Sequence, residues 1–212
     1  RNNGIISINP MQKILPPKTN KPLPEFVSKE QMDLLLDEDF FDHGFEGIRN
    51  KLIIELFYFT GIRLAELVGL LDRDIDLQKN QIKVLGKRNK ERIIPFGITL
   101  EQSIKQYITE REEMFGMTSP GGSFFLTSKG AKIYKKLVYR VVNSYLSKVS
   151  TLNKKSPHVL RHTFATHMLN NGADLNAIKE LLGHANLSAT QVYTHNTIDK
   201  LKSIYNLAHP RA

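Results

Sequence analysis

Residues 156–172, SPHVLRHTFATHMLNNG, form a segment whose two ends and interior together predict one helix. A Ser-Pro pair opens it, as expected for an N-cap and first helical residue, and Gly172 follows its last turn. His158 and Arg161 then share one face, because residues three apart are neighbours on a helix. We expect Arg161 to lie in the first turn, where the helix dipole disfavours a cation. This placement indicates that an anion is brought to the helix N-terminus.

Residues 60–67, TGIRLAEL, repeat this arrangement. Thr60 is predicted to cap a helix whose first turn holds Arg63. The simpler explanation for an arginine at this position is an ion pair with Glu66, three residues later, and this explanation stays open. The alternative is a phosphate clamp built from two arginines at helix N-termini, since guanidinium forks match phosphate oxygens bidentately.

The rest of the pattern predicts a mainly α-helical protein with one small antiparallel β-sheet, an α+β fold. Two β-type runs within residues 81–96 flank GKRNK and indicate a hairpin. Helical spacing or capping signals occur in residues 28–37, 45–59, 60–70, 99–115, 132–149, 174–184 and 197–212, with a short helix around Tyr193.

Composition limits the class of protein. The 212 residues are 41% hydrophobic, enough for one good core, and contain no cysteine, so disulfides and thiolate metal sites are excluded. The absence of cysteine makes a reducing cytoplasm the default compartment. No apolar run approaches a membrane span, and no N-terminal segment resembles a signal peptide. His158 and His162 are four apart, but the zinc motif HExxH is missing, so we do not expect a metal site.

Positive charge is concentrated in one part of the chain. The formal net charge is +9, and no Asp or Glu occurs between Met114 and Ala173. Solvated faces usually mix both signs, so a surface that meets phosphates is the better interpretation. The basic residues of this stretch are Lys129, Lys132, Lys135, Lys136, Arg140, Lys148, Lys154, Lys155 and Arg161.

The remaining candidates are weak when taken singly. His184 follows a helix end, where a histidine is usually a polar cap. Tyr193 would more often be a core residue than a reactive one. Lys87, Arg88 and Lys90 occupy the hairpin turn and are either solvated or in contact with DNA.

In this order, however, the motifs TGIRLAEL, GKRNKERIIPF, HVLRHTFATH and LGHANLSATQVYTH resemble the tyrosine site-specific recombinases, also called the phage integrase family. The ordered set Arg, Lys, His-x-x-Arg, His, Tyr is far more specific than any single motif. The resemblance implies the catalytic residues Arg63, Lys87, His158, Arg161, His184 and Tyr193. Together with the charge pattern, it predicts DNA contacts at Arg88, Lys90, Lys129, Lys132, Lys135, Lys136 and Arg140.

The resemblance also implies a reaction without metal or cofactor. Tyr193 would attack a DNA phosphate, leaving a 3′-phosphotyrosine and a free 5′-hydroxyl, and the 5′-hydroxyl of a second strand would reverse the step. The two arginines would neutralise the transition state, and His184 would hydrogen-bond a nonbridging oxygen. His158 could take the tyrosine proton, and Lys87 would protonate the leaving oxygen.

Domain organisation follows from the same resemblance. Residues 1–24 hold five of the nine prolines and are predicted to be a linker or arm, and residues 25–196 are predicted to be the catalytic domain. Residues 197–212 would form a C-terminal helix whose apolar stripe contacts a neighbouring subunit, or which folds onto its own core. The N-terminal core-binding domain of such recombinases is expected to be absent from this chain.

The tail of the sequence is most similar to the Xer subgroup, whose members resolve chromosome dimers. This similarity implies double-stranded DNA with a specific site, a homo- or hetero-tetramer on two sites, a septal DNA translocase as a further partner, and no membrane. An integrase of a mobile element stays open. So do a type IB topoisomerase, which shares the chemistry, and a DNA-binding protein without catalysis.

Overall fold

The computed structural model describes residues 25–86, 91–117, 119–183 and 195–211. Its α-helices are α1 (Lys29–Leu35), α2 (Phe45–Thr60), α3 (Leu64–Gly69), α4 (Ile98–Phe115), α5 (Lys135–Val149), α6 (Pro157–Asn170), α7 (Leu175–Leu182) and α8 (His195–Ala208). Short 3₁₀ turns span Glu38–Phe40, Asp72–Asp74 and Pro120–Gly122. The predicted arm at residues 1–24 lies outside the described ranges.

Helix α2 forms the centre of the core. Every residue from Leu52 to Thr60 is buried, and the helix packs against α4, α5 and α6. A helix that is apolar on all sides needs partners on all sides, which explains its central position. Among the described helices, none is long and apolar enough to cross a bilayer.

The sheet is antiparallel and has the order β1 (Ile75–Asp76), β2 (Gln81–Leu85), β3 (Glu91–Pro95). Val84 pairs with Arg92 in the β2–β3 ladder, which confirms the predicted hairpin. Strand β1 was not predicted, because two residues are too short to show an alternating pattern. Arg92 is buried although it is charged, so strand β3 places a cation inside the protein.

Most predicted helix ends agree with the structure. Ser28 accepts a hydrogen bond from the backbone of Gln31, and Asp174 caps α7. The prediction of a helix from residue 132 was wrong at its start. Lys132 pairs with Leu126 in an isolated β-bridge, so the chain is extended there and α5 begins only at Lys135.

Helix α8 packs against β3, α6 and α7 of its own chain. Its apolar residues Leu201, Tyr205 and Ala208 are buried, which favours the intramolecular alternative for this stripe. Leu207 lies on the outer side and is 85% exposed. A subunit contact by this helix stays a prediction, and its outer surface is the part left to make one.

Candidate active site

Arg63 lies in the short connection between α2 and α3. The prediction that Thr60 caps the next helix was wrong: Thr60 is the last residue of α2, and its hydroxyl donates to the carbonyl oxygen of Leu56. The same hydroxyl accepts from the N–H of Ile62 and so fixes the turn. Arg63 is itself the N-cap residue of α3.

Gly61 allows this connection to approach two other helices. Its φ is 58°, a left-handed conformation that glycine adopts without strain. A Cβ atom there would lie 2.7 Å from side-chain carbons of both Phe164 and Leu182. Glycine therefore brings the Arg63 turn directly against α6 and the end of α7.

Arg161 reaches the same place from α6. It is the fifth residue of a helix that begins at Pro157, so it lies in the second turn rather than the predicted first turn. Its Nη1 donates to the carbonyl of Gly61, and its Nη2 donates to the carbonyl of Leu182 at 2.6 Å. The two predicted arginines thus meet, although not as a pair of helix N-termini.

Three guanidinium groups hold the C-terminal end of α7. Carbonyls at a helix end have no partner within the helix and carry the negative end of its dipole. Nε of Arg92 donates to Leu181 (2.9 Å), Nη2 of Arg161 to Leu182 (2.6 Å) and Nη2 of Arg63 to Gly183 (2.8 Å). The helix end is therefore fixed by residues from β3, α6 and the α2–α3 turn.

A single buried carboxylate, Glu66, links two of these arginines. Its oxygens accept from the N–H and Nη1 of Arg63 at 2.8 and 2.7 Å, and from Nη1 and Nη2 of Arg92 at 2.7 and 2.9 Å. Burial alone would raise the pKa of Glu66, but the hydrogen bonds and charge of Arg92, with those of Arg63, lower the pKa to about 2. Glu66 is therefore ionised at neutral pH.

We call Arg63, Arg92, Arg161 and Glu66 the arginine cluster. Three guanidinium charges against one carboxylate leave two positive charges in a partly buried place. Burial, followed by the charges of Arg63 and Arg92, lowers the pKa of Arg161 to about 9. An anion such as a phosphate would relieve this repulsion, because it supplies the missing negative charge.

His158 lies in the first turn of α6, one turn before Arg161, and is exposed. Residues three apart in a helix lie on one face, so His158 and Arg161 share a side of α6, and the catalytic role of His158 stays a prediction. His162 follows Arg161 and is half-buried. The described ranges contain no group of three His, Asp or Glu residues that could hold a metal ion.

Five of the predicted site residues lie outside the described ranges: Lys87, Arg88, Lys90, His184 and Tyr193. The described neighbours still define where these segments begin. Gly86 follows β2 at the hairpin turn, and Gly183 ends α7 in a left-handed conformation. The roles of these five residues stay predictions.

Five residues of the predicted basic stretch form the surface expected to contact DNA. We define this basic surface as Lys129, Lys132, Lys135, Lys136 and Arg140, all of which are exposed. Within the described part of the chain, none of the five forms an ion pair with a carboxylate. Two lysines occupy the first turn of α5, where the helix dipole opposes a cation and attracts an anion.

Sequence reasoning missed the importance of Arg92 and treated Glu66 only as an ion-pair partner. Two signals were present. Glu66 is the third helical residue after Arg63 and accepts the N-cap N–H, as glutamate does in a capping box. Arg92 and Ile94 are two residues apart and lie on the buried side of β3, where a charge needs a partner.

Comparison with known proteins connects this site to a family. The model of the phage integrase family matches residues 25–200. A tyrosine recombinase XerC of Chlorobaculum tepidum is 39% identical over 99% of this chain. A tyrosine recombinase XerC of Staphylococcus epidermidis is 44% identical over 97% of it. The chain covers 68% of the length of each.

Solved structures give the same result for the fold. The crystal structure of XerA recombinase superposes with a TM-score of 0.68 at 29% identity, over 89% of this chain and 66% of that one. XerH site-specific recombinase bound to difH substrate, in a pre-cleavage complex, gives a TM-score of 0.69 at 26% identity, over 88% and 56%. The integrase from mycobacterium phage Brujita gives 0.71 at 26%, over 100% and 67%.

Proposed function

Because this chain belongs to the phage integrase family, we propose that it carries out site-specific DNA recombination through a 3′-phosphotyrosyl intermediate. Its relatives named XerC favour chromosome dimer resolution over the integration or excision of a mobile element. As a tyrosine recombinase it is an enzyme that breaks and rejoins DNA. The observation that carries the proposal is the arginine cluster at the end of α7.

Arg63 and Arg161 have N–H groups that can still donate hydrogen bonds to a phosphate. A guanidinium group has five N–H donors. Arg161 uses one on Gly61 and one on Leu182, and Arg63 uses one on Glu66 and one on Gly183. Counted over the described residues, donors therefore remain on each side chain for phosphate oxygens. The protein contacts hold both groups in place before the substrate arrives, which is how preorganised charge stabilises a transition state.

The covalent step uses Tyr193. Its phenolic oxygen attacks the scissile phosphorus, the bond from phosphorus to the 5′-oxygen breaks, and the 3′-phosphate becomes attached to the tyrosine. The pentavalent transition state carries additional negative charge on its nonbridging oxygens. Arg63 and Arg161 neutralise this charge, and His184 donates a further hydrogen bond. His184 is the residue directly after Gly183, at which the arginines hold the end of α7.

Two proton transfers complete the step. His158, on the α6 face that carries Arg161, accepts the proton of the attacking phenol. Lys87, in the hairpin turn between β2 and β3, gives a proton to the departing 5′-oxygen. Rejoining reverses both transfers when the 5′-hydroxyl of a second strand attacks the phosphotyrosine. Two arginines and a lysine supply the positive charge that a metal ion would otherwise provide.

DNA contacts extend from the cluster over the basic surface. Its five exposed cations would lie along the phosphate backbone and provide sequence-independent affinity. We further propose that the enzyme acts in the cytoplasm as a homo- or hetero-tetramer on two recombination sites. A septal DNA translocase is the partner that a dimer-resolving enzyme of this kind would require.

Covalent trapping tests the proposal. The chain is incubated with a pool of nicked duplexes of randomised sequence, in which cleavage next to a nick releases a short strand that cannot return. Denaturing gels should then show protein linked to DNA, and sequencing of the linked DNA identifies the preferred site. The variant Tyr193→Phe serves as the matched control and should give no linked species, whereas absence of linkage with the unmodified chain would refute the proposal.

A second assay separates recombination from simple relaxation of DNA. A type IB topoisomerase relaxes any supercoiled plasmid as a monomer, whereas a recombinase exchanges strands between two copies of its site. Plasmids with zero, one or two copies of the selected site are compared. Exchange that needs two copies supports a recombinase, and relaxation of the site-free plasmid without any exchange would identify a topoisomerase.

A further inference from the structure

Arg92 is a charged residue in the interior that the proposed chemistry does not use. It is only 4% exposed and is the second residue of β3. Its guanidinium makes a bidentate contact with both oxygens of Glu66 and a third hydrogen bond to the carbonyl of Leu181. One side chain therefore joins the sheet to α3 and to the end of α7.

These contacts act on Arg63 through Glu66. The same two carboxylate oxygens that accept from Arg92 also accept from Arg63. With Arg92 present, the negative charge of Glu66 is shared between two cations, so Arg63 keeps positive charge for another anion. Without a correctly placed Arg92, Arg63 alone would balance the buried carboxylate and would be drawn towards it.

We propose that Arg92 is a positioning residue for DNA cleavage: through Glu66 and Leu181 it keeps Arg63 oriented and electrostatically available for the scissile phosphate. This inference rests on the proposed recombinase function. It assigns Arg92 no direct contact with DNA. Its effect on the reaction passes through the nonbridging phosphate oxygens that Arg63 neutralises and not through the leaving group.

The test variant is Arg92→Lys, which keeps the charge. A lysine ammonium cannot reproduce the planar fork that spans both Glu66 oxygens and the Leu181 carbonyl. Cleavage of the DNA site identified by covalent trapping should therefore slow by up to about 100-fold, because a displacement of about 1 Å can cost that much. The affinity for uncleaved DNA should stay within about twofold, because phosphate contacts elsewhere dominate it.

A neutral phosphate distinguishes positioning of Arg63 from general damage. In a methylphosphonate, a methyl group replaces one nonbridging oxygen at the scissile position, so the transition state carries less negative charge. Cleavage of the methylphosphonate substrate then depends less on Arg63. On this substrate, the cleavage rate of the wild-type protein divided by that of the Arg92→Lys variant should approach one. An equal ratio on both substrates, or an unimpaired Arg92→Lys variant on ordinary DNA, would overturn the inference.

Arg111 provides a matched control. It is also 4% exposed, pairs with Asp72 at 2.6 Å and donates to the carbonyl of Phe124 at 2.8 Å, so its hydrogen bonds lie away from the arginine cluster. Arg111→Lys, like Arg92→Lys, should lower the melting temperature. Its cleavage rate on ordinary DNA divided by its rate on methylphosphonate DNA should equal that of the wild-type protein. If the unmodified chain forms no adduct at all, the proposed function fails; if it does and Arg92→Lys matches it, only this inference fails.

Discussion

Arg63 and Gly183 are 120 positions apart in the sequence, yet Nη2 of Arg63 lies 2.8 Å from the carbonyl oxygen of Gly183. This hydrogen bond joins the start of α3 to the end of α7. His184 is the next residue along the chain. The phosphate site that we propose is therefore assembled where α7 stops, and its geometry depends on how closely the α2–α3 turn approaches that helix.

Gly61 controls this approach, so Gly61→Ala should impair catalysis more than binding. The added Cβ would lie 2.7 Å from Phe164 and Leu182, and one of these neighbours must shift. We expect a stability loss of about 1–3 kcal/mol from overpacking and a fall in cleavage rate of about 100-fold from displacement of Arg63. Denaturant unfolding and covalent trapping measure the two effects.

Gly116→Ala is the control for backbone strain alone. Gly116 also has a positive φ, 83°, but a Cβ there would have no neighbour within 4 Å. This variant should lose stability and retain its cleavage rate. Equal loss of cleavage in both variants would mean that strain, rather than the close approach at Gly61, explains the result.

The Lys87→Ala variant should cleave ordinary DNA slowly. It should cleave DNA with a 5′-bridging sulfur at close to the rate of the wild-type protein. A thiol has a pKa of about 8.5, so a thiolate leaves without a general acid. Arg63→Ala should gain nothing from the sulfur, since it acts on the nonbridging oxygens. If Lys87→Ala is equally slow on both substrates, Lys87 has another role and Lys90 is the next residue to test.

The basic surface should make DNA affinity strongly dependent on salt. Changing Lys135 and Lys136 together to Glu should reduce the slope of log affinity against log salt by about 1 for each phosphate that the variant no longer neutralises. Lys29→Glu is the control, because Lys29 is also exposed but lies in an acidic segment of the chain. A slope unchanged by the double substitution would place DNA elsewhere on the protein.

His209, which follows α8, should make stability fall below pH 6.5. Its ring stacks on Tyr205, its Nε2 donates to the carbonyl of Tyr58, and its Nδ1 accepts from the N–H of Arg211. The neutral ring can make both hydrogen bonds. Protonation of Nδ1 would instead place its new N–H against the N–H of Arg211. Burial, followed by electrostatic repulsion from His167 and Arg211, lowers the pKa of His209 to about 3.

The sign of the effect follows from this lowered pKa. Below pH 6.5 the unfolded chain binds a proton at this position and the folded chain does not, so the free energy of unfolding decreases by up to about 1.4 kcal/mol per pH unit. His209→Phe should be less stable at pH 7.5 but lose less stability between pH 7.5 and pH 5.5. Urea unfolding at both pH values measures this, and an identical pH dependence in the variant would contradict the assignment.

Local signals in the sequence were sufficient for most of the fold. The Ser-Pro pair before α6, Asp174 before α7 and the two runs around the hairpin turn act over a few residues, and each lies where it was expected. Thr60 misled the prediction because its hydroxyl bonds backwards to Leu56 and not forwards into the next helix. A threonine close to a helix boundary can do either, and only the packed structure decides.

The sequence indicated two arginines that the structure brings together, but not the contacts that hold them. Arg63 and Arg161 stand in recognisable motifs, whereas Arg92 gains its importance from Glu66 and Leu181, which are far from it in the sequence. Buried ion pairs of this kind depend on which elements meet. The apolar stripe of α8 was similarly ambiguous, because a core helix and an interface helix share one pattern.

The most direct test of the account is to identify the residue that becomes attached to DNA. Adduct from covalent trapping is digested with protease and nuclease, and mass spectrometry locates the remaining nucleotide on the peptide. We predict attachment at Tyr193, through a 3′-phosphate, with a free 5′-hydroxyl on the released strand. Attachment at another residue, or a 5′-linked phosphate, would contradict the account.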